Sequence, residues 1–446
     1  MLNMSPRIHM FAPQNGKDTM IETFTIVGGA SAYTPGLVRA LIHHADRLAL
    51  DEVRLFDIDA QRLEVVAPLC RAMAEANGSP FEVTATTDKA EAVDGIDALL
   101  NSSRPGGFEC RRIDETLPLE FGIPGQETVG PGGFFFALRS IPEALDLARH
   151  VRKRSPEAIW LNYTNPTNIV GQVLHDQTEL EVLTLCDQSD EDIAAIARVI
   201  GRGDTECNFE CIGLNHATWY DDVTIDGREI PNRAFEADPP RDYDEEHKLR
   251  FRLSQRFAIV NDGRWPNSYL PYYFEPEKFV ELSRQVGPRT DAIVEKLDGY
   301  YRHFEREAEK EDPELERHRG DEGFGDMAVD VLAALESEQP LELVLNVPNR
   351  GMSDLFADDT LIEVRVGLDS EGVHARRQPE VPDGQEELLA QLETYQRRTA
   401  KAAVDPSQSS LVEALASNPL VGDPDLARRL LDRAENAYGS QIPIFA

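Results

Sequence analysis

Two short segments of the chain contain side chains that bind transition metals, and each comes at the end of an apolar stretch. Cys186 ends a predicted strand over residues 182–186, and His216 follows the apolar segment 211–214. A thiolate and an imidazole that project from two strand ends can hold a divalent cation and leave coordination positions open for substrate oxygens. The alternative is a buried cysteine and a histidine that caps a turn, and spacing alone does not separate the two interpretations.

The sequence contains one more spacing that is typical of a metal site. Cys207, Cys211 and His216 follow the pattern C-x3-C-x4-H of a zinc knuckle. Structural zinc sites use four ligands, and no fourth ligand is evident nearby in the sequence. Packing roles are therefore favoured for Cys207 and Cys211.

A glycine turn near the start of the chain indicates a nucleotide site. A predicted strand, 24–27, leads through this turn into a predicted helix, 35–43, that begins with proline. Strand, glycine turn and helix open the dinucleotide-binding fold, in which the helix N-terminus binds pyrophosphate. A second strand, 52–56, ends at Asp57, which is placed to bind ribose hydroxyls and favours NAD over NADP. The predicted cofactor-binding residues are Gly28, Gly29, Ala30, Ser31, Tyr33 and Asp57.

The segment 104–139 combines glycines and prolines with arginines, acids and three consecutive phenylalanines. Glycines let a backbone pass close to a ligand, and prolines fix the turns between them. Long loops inside compact domains are usually functional or disordered, and the run Phe134, Phe135, Phe136 argues against disorder. We therefore expect a functional segment that opens as a loop and ends as a helix.

Alternating strands and helices predict how these residues are positioned. Further strands are predicted at 98–101 and 158–162, with helices at 142–153 and 169–174 between the strands. This alternation predicts a parallel sheet with helices on both faces, in which ligands collect at the carboxyl ends of the strands. The candidate residues that follow these strands are Asp57, Arg104, Asn165 and Cys186.

The segment 104–139 resembles a motif of the NAD- and metal-dependent glycoside hydrolases of family 4, and of their phosphoglycosidases in particular. The motif reads R-x-G-G-x-x-x-R-x-x-D-E and then G-Q-E-T-x-G-P-G-G-F. The chain matches it at Arg104, Gly106, Gly107, Arg111, Asp114 and Glu115, at residues 125–128 and at residues 130–134. The glycine turn is similar to the family's G-G-G-S-x-Y-T-P except at Ala30, and the resemblance extends over most of residues 24–446.

The resemblance implies a role for several residues. Cys186 and His216, in segments similar to G-L-C-[DNH] and G-L-N-H, would bind Mn²⁺ or another divalent metal. Tyr269, in a segment similar to S-Y-L-x-Y-Y-Y, would be the catalytic base, and Asp187 the acid for the leaving group. A free tyrosine titrates near pH 10, so Tyr269 needs a neighbouring cation or metal to act as a base. The implied substrate-binding residues are Arg104, Asn165, Arg289 and Glu115.

The implied reaction differs from two-carboxylate glycoside hydrolysis. NAD removes hydride from C3 of the sugar, the resulting ketone acidifies the proton on C2, and Tyr269 removes that proton. The aglycone then leaves from C1 by elimination, water adds, and NADH returns the hydride. A phosphorylated substrate requires a local cluster of arginines because the protein as a whole is acidic.

The resemblance favours a 6-phospho-β-glucosidase, although Cys-Asp at 186–187 also occurs among α-acting relatives. An α-glycosidase or α-galactosidase of the same family is the first alternative. The others are an NAD-dependent 2-hydroxy acid dehydrogenase and a non-catalytic protein that binds NAD or sugar. Steady accumulation of NADH from a hydroxy acid would support the dehydrogenase.

The predicted fold class is α/β, with a Rossmann-like doubly wound parallel sheet followed by an α+β substrate and oligomerisation domain, as in lactate and malate dehydrogenases. At 446 residues the chain exceeds a typical single core. We expect a disordered extension over residues 1–20, an NAD-binding domain over 21–190 and the second domain over 191–446.

The acidic composition of the chain excludes some classes of binding partner. The net charge is −35, from 80 acidic and 45 basic residues. A surface this acidic and poor in lysine resembles that of proteins from salt-loving organisms, and its field repels nucleic acid and anionic membranes. The five cysteines form no even disulfide framework, which is typical of the cytoplasm. The expected partners are a small sugar or sugar-phosphate glycoside and further copies of the chain in a homodimer or homotetramer.

Overall fold

The computed structural model describes residues 8–9, 20–203, 205–316 and 324–445. The strands are β1 (Ile8–His9), β2 (Thr23–Val27), β3 (Glu52–Phe56), β4 (Glu82–Thr86), β5 (Ala98–Asn101), β6 (Ile159–Asn162), β7 (Glu181–Thr184), β8 (Cys207–Leu214), β9 (Ala217–Ile225), β10 (Arg228–Glu229), β11 (Trp265–Pro266), β12 (Leu341–Pro348), β13 (Leu361–Asp369) and β14 (Gly372–Ala375). The helices are α1 (Thr34–His43), α2 (Ala60–Ala76), α3 (Lys89–Ala92), α4 (Gly107–Thr116), α5 (Gly130–Arg154), α6 (Thr167–Gln177), α7 (Gln188–Val199), α8 (Glu245–Val260), α9 (Pro271–Phe274), α10 (Pro276–Val286), α11 (Arg289–Glu307), α12 (Phe324–Leu335), α13 (Glu386–Val404), α14 (Gln408–Ala416) and α15 (Pro424–Tyr438).

Within the described ranges, all strands belong to one sheet of 14 strands. Six of them are parallel, in the spatial order β4-β3-β2-β5-β6-β7. This is the 3-2-1-4-5-6 order of the doubly wound dinucleotide-binding fold. Beyond β7 the sheet continues with antiparallel pairing through β12, β13, β8 and β9. The predicted α/β class with a Rossmann-like parallel sheet is confirmed.

Each face of the parallel sheet is covered by its own group of helices. Successive strand residues point to opposite faces. Accordingly, Ile26 and Leu161 belong to the core cluster that packs under α1, α2 and α12, whereas Val27 and Trp160 belong to the cluster under α5, α6 and α15. No helix in the described part of the chain has the length and apolarity needed to cross a bilayer.

The segment 104–139 was expected to open as a loop, but a helix begins three residues after its start. Residues 107–116 form helix α4, and irregular backbone lies before it at 104–106 and further along at 122–129. The buried positions of α4 are Cys110, Arg111, Asp114 and Glu115, which have helical spacing but are mostly charged. A search for apolar periodicity misses a helix whose inner face consists of buried ion pairs.

Helix α5 starts at Gly130 and runs to Arg154, so the helical end predicted for the segment 104–139 and the helix predicted at 142–153 are one element. Its first turn contains three glycines, which are poor helix formers. Two of them are required by close packing, because a Cβ atom on Gly132 would lie 2.1 Å from the carbonyl oxygen of Gln126, and one on Gly133 would lie 2.3 Å from that of Thr128. The glycines therefore let residues 126–128 pack against the start of the helix.

The predicted domain division remains a prediction. Its boundary at 190/191 falls within α7, and the sheet runs through both parts. Of the predicted extension, Ile8–His9 pair with β14, and the other residues before Met20 lie outside the described residues. Residues 305–322 are densely charged in the sequence. They begin at the end of α11, and residues 317–322 also lie outside the described residues.

Candidate active site

Three neighbouring strands bring separate parts of the sequence to one edge of the sheet. β5, β6 and β7 pair in parallel, so that Asn101, Asn162 and Thr184 are aligned at their carboxyl ends. Arg104 and Asn165 follow the first two strands, and Cys186 follows the third. The edge at which parallel strands end is the usual ligand-binding edge of an α/β sheet.

The sulfur of Cys186 lies 3.5 Å from Nε2 of His216. His216 stands in the two-residue turn between β8 and β9 and has a left-handed backbone, with φ 63°. Metal–sulfur and metal–nitrogen bonds of about 2.3 and 2.1 Å in tetrahedral geometry separate the two donor atoms by about 3.6 Å. The pair therefore fits two ligands of one divalent cation. No group of three or more Cys, His, Asp or Glu side chains converges as a metal site in the described residues.

Tyr269 lies directly against this pair. Its ring stacks on the imidazole of His216, with a centroid separation of 4.1 Å and an interplanar angle of 22°. The guanidinium carbon of Arg250 is 3.7 Å from the centroid of the tyrosine ring. Burial raises the pKa of Tyr269 to about 12, although Arg250 and Arg289 oppose the rise. Deprotonation of this phenol near neutral pH therefore needs a further positive charge close to the oxygen.

Arg104 is paired within the protein by a carboxylate that the sequence analysis did not select. Its guanidinium contacts Glu127, whose other oxygen lies 3.2 Å from the guanidinium of Arg111. Burial disfavours the charged form of Glu127, but Arg104 and Arg111 outweigh it and hold the pKa at about 2. Glu127 is thus an ionised carboxylate that fixes two arginines near the site. The G-Q-E-T motif contained this residue, but only the fold shows which arginines it meets.

Glu115 and Arg289 lie on either side of a junction between two helices. One oxygen of Glu115 accepts from Nε of Arg111 at 2.8 Å, and the other accepts from the backbone N–H of Thr290 at 2.8 Å. Glu115 thereby links α4 to the first turn of α11.

Arg289, the first residue of α11, makes no ion pair within 4.0 Å among the described residues. It lines a cavity of about 220 Å³ that Asp244 and Glu246 also line, and, although burial opposes the shift, these two carboxylates raise its pKa from a distance. An arginine with no carboxylate partner in a cavity is suited to bind an anionic ligand.

Asp187 and Asn165 have side chains available to a ligand. Asp187 is half-buried at the N-terminus of α7 and does not cap that helix, and burial raises its pKa. A raised pKa favours the protonated carboxyl that an acid catalyst requires. Asn165 accepts from the N–H of Thr167 at 3.3 Å through Oδ1, and its amide N–H groups have no acceptor in the part of the chain that the structure describes.

A buried carboxylate behind the site connects the elements that hold Cys186 and His216. Glu363 on β13 is fully buried and accepts hydrogen bonds from Ser189, Asn215, Thr218 and Asn346. Ser189 lies in the first turn of α7, just after Cys186, and Asn215 directly precedes His216. Glu363 was not among the predicted site residues, and its only signal in the sequence is an acid in the mostly apolar segment 361–366.

The glycine turn has the geometry expected of a dinucleotide site. Gly28 has φ 90°, and a Cβ atom on Gly29 would lie 2.9 Å from the backbone nitrogen of Phe56, so both positions favour glycine. The methyl group of Ala30 belongs to the hydrophobic core, and its N–H donates to Oδ2 of Asp57 at 3.0 Å.

The two remaining predicted residues of the turn lead into α1. Ser31 accepts from the N–H of Tyr33 at 3.3 Å through its hydroxyl, and Tyr33 stands immediately before the helix. The helix N-terminus therefore lies beside the turn, with Asp57 across from it at the end of β3, as a bound dinucleotide requires.

Two family models match the chain in succession. The family 4 glycosyl hydrolase model matches residues 23–200, and the model of the C-terminal domain of the same family matches residues 211–421. The chain belongs to family 4 of the glycosyl hydrolases. It is therefore a glycoside hydrolase, and the resemblance found in the sequence is confirmed.

Relatives of both anomeric types are similar to this family 4 chain over nearly their whole length. The 6-phospho-alpha-glucosidase 1 of Lacticaseibacillus paracasei is 28% identical, over 91% of this chain and 95% of the relative. The 6-phospho-beta glucosidase of Thermotoga maritima, solved with manganese, NAD⁺ and glucose-6-phosphate, is 25% identical with a TM-score of 0.80, over 93% of this chain and 98% of that one. Malate dehydrogenase of Plasmodium falciparum shares the fold alone, with 10% identity and a TM-score of 0.52, over 86% of this chain and 99% of that one.

Proposed function

We propose that the protein hydrolyses 6-phosphoglycosides and uses NAD and a divalent cation, Mn²⁺ or another divalent metal, as cofactors. The observation that carries this proposal is that His216 contacts both Cys186 and Tyr269. The pair that would bind the cation, Cys186 and His216, is therefore in direct contact with the candidate base, Tyr269. The relatives named as phosphoglucosidases support the substrate class. Arg289 supports it from this chain, because it lines a cavity and makes no ion pair within 4.0 Å among the described residues.

The cofactors supply chemistry that the side chains lack. NAD supplies a reversible hydride acceptor for C3 of the sugar, and a divalent cation supplies Lewis-acid stabilisation of negative charge on sugar oxygens. Gly28, Gly29 and Asp57 would hold the dinucleotide, and Cys186 with His216 would hold the cation.

The chain's own residues then move protons and bind the sugar. Tyr269 removes the proton from C2, and Asp187 donates a proton to the departing oxygen at C1. Asn165 binds a sugar hydroxyl through its amide, and Arg289 binds the phosphate. Arg104 and Arg111 contribute positive charge, which Glu127 partly neutralises in the structure.

The assay that tests this proposal compares four aryl glucosides, α and β, each with and without a 6-phosphate, in the presence of NAD, Mn²⁺ and reductant. We expect turnover of phosphorylated substrates only, with the β anomer preferred and no net accumulation of NADH. When the assay is run in D₂O, the released sugar should carry deuterium at C2, because the C2 proton leaves and is replaced from solvent. Turnover of only the unphosphorylated substrates would contradict the phosphate assignment, and product without deuterium would contradict the elimination.

The phosphate assignment makes a separate prediction for Arg289. Arg289→Met is expected to raise KM for the phosphorylated glucoside about 10- to 100-fold, since a charge-assisted contact to an anion is lost, about 1.4 kcal/mol per factor of ten. Arg284→Met is the matched control, because Arg284 is exposed on α10 and the net charge changes equally. Equal KM values for the two variants would exclude Arg289 as the phosphate ligand.

We also propose that the protein works in the cytoplasm as a homodimer or homotetramer. The five cysteines are all free, as expected for a reducing compartment. Sedimentation of the purified protein measures the assembly state directly.

A further inference from the structure

The hydrogen bonds around His216 determine which of its ring nitrogens bears hydrogen. Nδ1 of His216 lies 3.1 Å from the hydroxyl oxygen of Thr128. The same hydroxyl lies 2.8 Å from Oε1 of Gln126, which also accepts the backbone N–H of Val129 at 2.8 Å and that of Thr128 itself. Three contacts therefore converge on one amide group.

The direction of these bonds follows from the donors. A backbone N–H only donates, so the atom of Gln126 that faces Thr128 and Val129 must be its oxygen. The hydroxyl of Thr128 must then donate to this oxygen, because a carbonyl oxygen bears no hydrogen. The lone pair of that hydroxyl is left to accept, and the group that faces it is Nδ1 of His216. Nδ1 is therefore the protonated nitrogen, and Nε2, which faces the sulfur of Cys186, has a free lone pair.

The position of the threonine is itself rigidly set. Residues 126–128 pack directly on the first turn of α5, so closely that no side chain would fit at Gly132 or Gly133. Gln126 is buried, and the three donors to its oxygen belong to Thr128 and Val129, which are two and three residues further along the chain. The hydroxyl of Thr128 is thus held at a fixed point before any ligand arrives.

We propose that Thr128, oriented by Gln126, is a positioning residue that fixes the tautomer and ring orientation of His216 so that Nε2 is ready to bind the cation beside Cys186. This inference rests on the proposed function for the identity of the bound group. Partners of this kind, which bind the remote nitrogen of a metal-binding histidine, contribute about 10- to 100-fold to metal affinity. Thr128 touches neither substrate nor cation in this assignment, so it acts through the imidazole alone.

The test compares Thr128→Val, which removes the hydroxyl and keeps the shape, with Thr128→Ser, which keeps the hydroxyl. The first measurement is the ¹⁵N–¹H correlation pattern of the His216 ring in metal-free protein, assigned by its loss in His216→Asn. We expect the Nδ1–H tautomer in the wild type and in Thr128→Ser, and a mixture of tautomers in Thr128→Val. An Nε2–H tautomer in the wild type, or an unchanged Nδ1–H tautomer in Thr128→Val, would overturn the inference.

The second measurement is the Mn²⁺ dissociation constant, from the electron paramagnetic resonance signal of the free ion. We expect Thr128→Val to weaken binding about 10- to 100-fold and Thr128→Ser to stay within about threefold of the wild type. Equal affinities for Thr128→Val and the wild type would overturn the inference. If Thr128→Val does not fold, Thr128→Ala replaces it in both measurements. A wild type that binds no divalent cation would overturn the proposed function, whereas the tautomer measurement would still decide the role of Thr128.

Discussion

Cys186→Ser is expected to lose at least about 10³-fold in kcat/KM on the phosphorylated glucoside, equivalent to about 4 kcal/mol of transition-state stabilisation. A serine hydroxyl is not deprotonated near neutral pH and replaces a thiolate ligand poorly, so the cation would be held by His216 alone. Loss of Lewis-acid assistance forfeits several kcal/mol of the stabilisation of developing negative charge. Mn²⁺ affinity measured on the same samples should fall in parallel with activity.

The matched control for this variant is Cys207→Ser. Cys207 is half-buried on β8, and its sulfur contacts the carbonyl oxygen of Thr205, away from His216. We expect its kcat/KM and Mn²⁺ affinity to stay close to those of the wild type. Activity of Cys186→Ser within tenfold of the wild type at saturating Mn²⁺ would show that this sulfur does not hold a catalytic cation.

Two predicted strands illustrate what the sequence could show, and two helices illustrate what it could not. The predicted strands 52–56 and 98–101 coincide with β3 and β5. In β3 apolar residues alternate with Glu52 and Arg54, and in β5 three apolar residues follow one another, and both patterns are typical of strands.

Helix α4 was missed since its buried face is made of Arg111, Asp114 and Glu115. The exact start of α5 at Gly130 was not predicted, because the glycines at its N-terminus allow packing against residues 126–128, which is a tertiary contact.

The site shows the same division. Cys186 and His216 were selected because thiolate and imidazole are recognisable metal ligands at the ends of predicted strands, and the fold places them 3.5 Å apart. Glu127 and Glu363 were not selected, since an acid in a sequence gives no indication of the partners that it meets in space. Both bind residues distant in the chain: Glu127 contacts Arg104 and Arg111, and Glu363 accepts from four neutral donors.

One buried ion pair connects helix α4 to helix α5. Arg139 on α5 binds Asp114 on α4 through two hydrogen bonds, of 3.0 and 2.7 Å, and Tyr438 on α15 donates to the same carboxylate at 2.6 Å. Arg139 and Asp114 are both almost fully buried. Because α4 also supplies Arg111 and Glu115 to the site, this pair connects stability to the arrangement of the arginines.

Arg139→Met is expected to lower the free energy of unfolding by about 3–5 kcal/mol, since it leaves the carboxylate of Asp114 buried without its cation. Burial raises the pKa of Asp114 to about 6 even beside Arg139, and removal of the arginine raises it further. The folded variant therefore binds this proton more tightly than the folded wild type, whereas the two unfolded chains bind it equally, so the deficit of the variant against the wild type should grow as pH rises from 5 to 8. Urea unfolding of metal-free protein at both pH values measures this difference.

Two further variants separate the buried charge from other effects of the substitution. Arg433→Met breaks an exposed ion pair with Glu120 and should cost no more than about 1 kcal/mol. The double variant Asp114→Asn with Arg139→Met should recover part of the lost stability, because the unpaired charge is gone, and its deficit should not grow with pH. If Arg139→Met were no more destabilising than Arg433→Met, or if its deficit shrank as pH rose, the buried pair would not be what holds α4 in place. The arginines of the site would then be positioned mainly by Glu127 and Glu115, whose ion pairs do not involve Arg139.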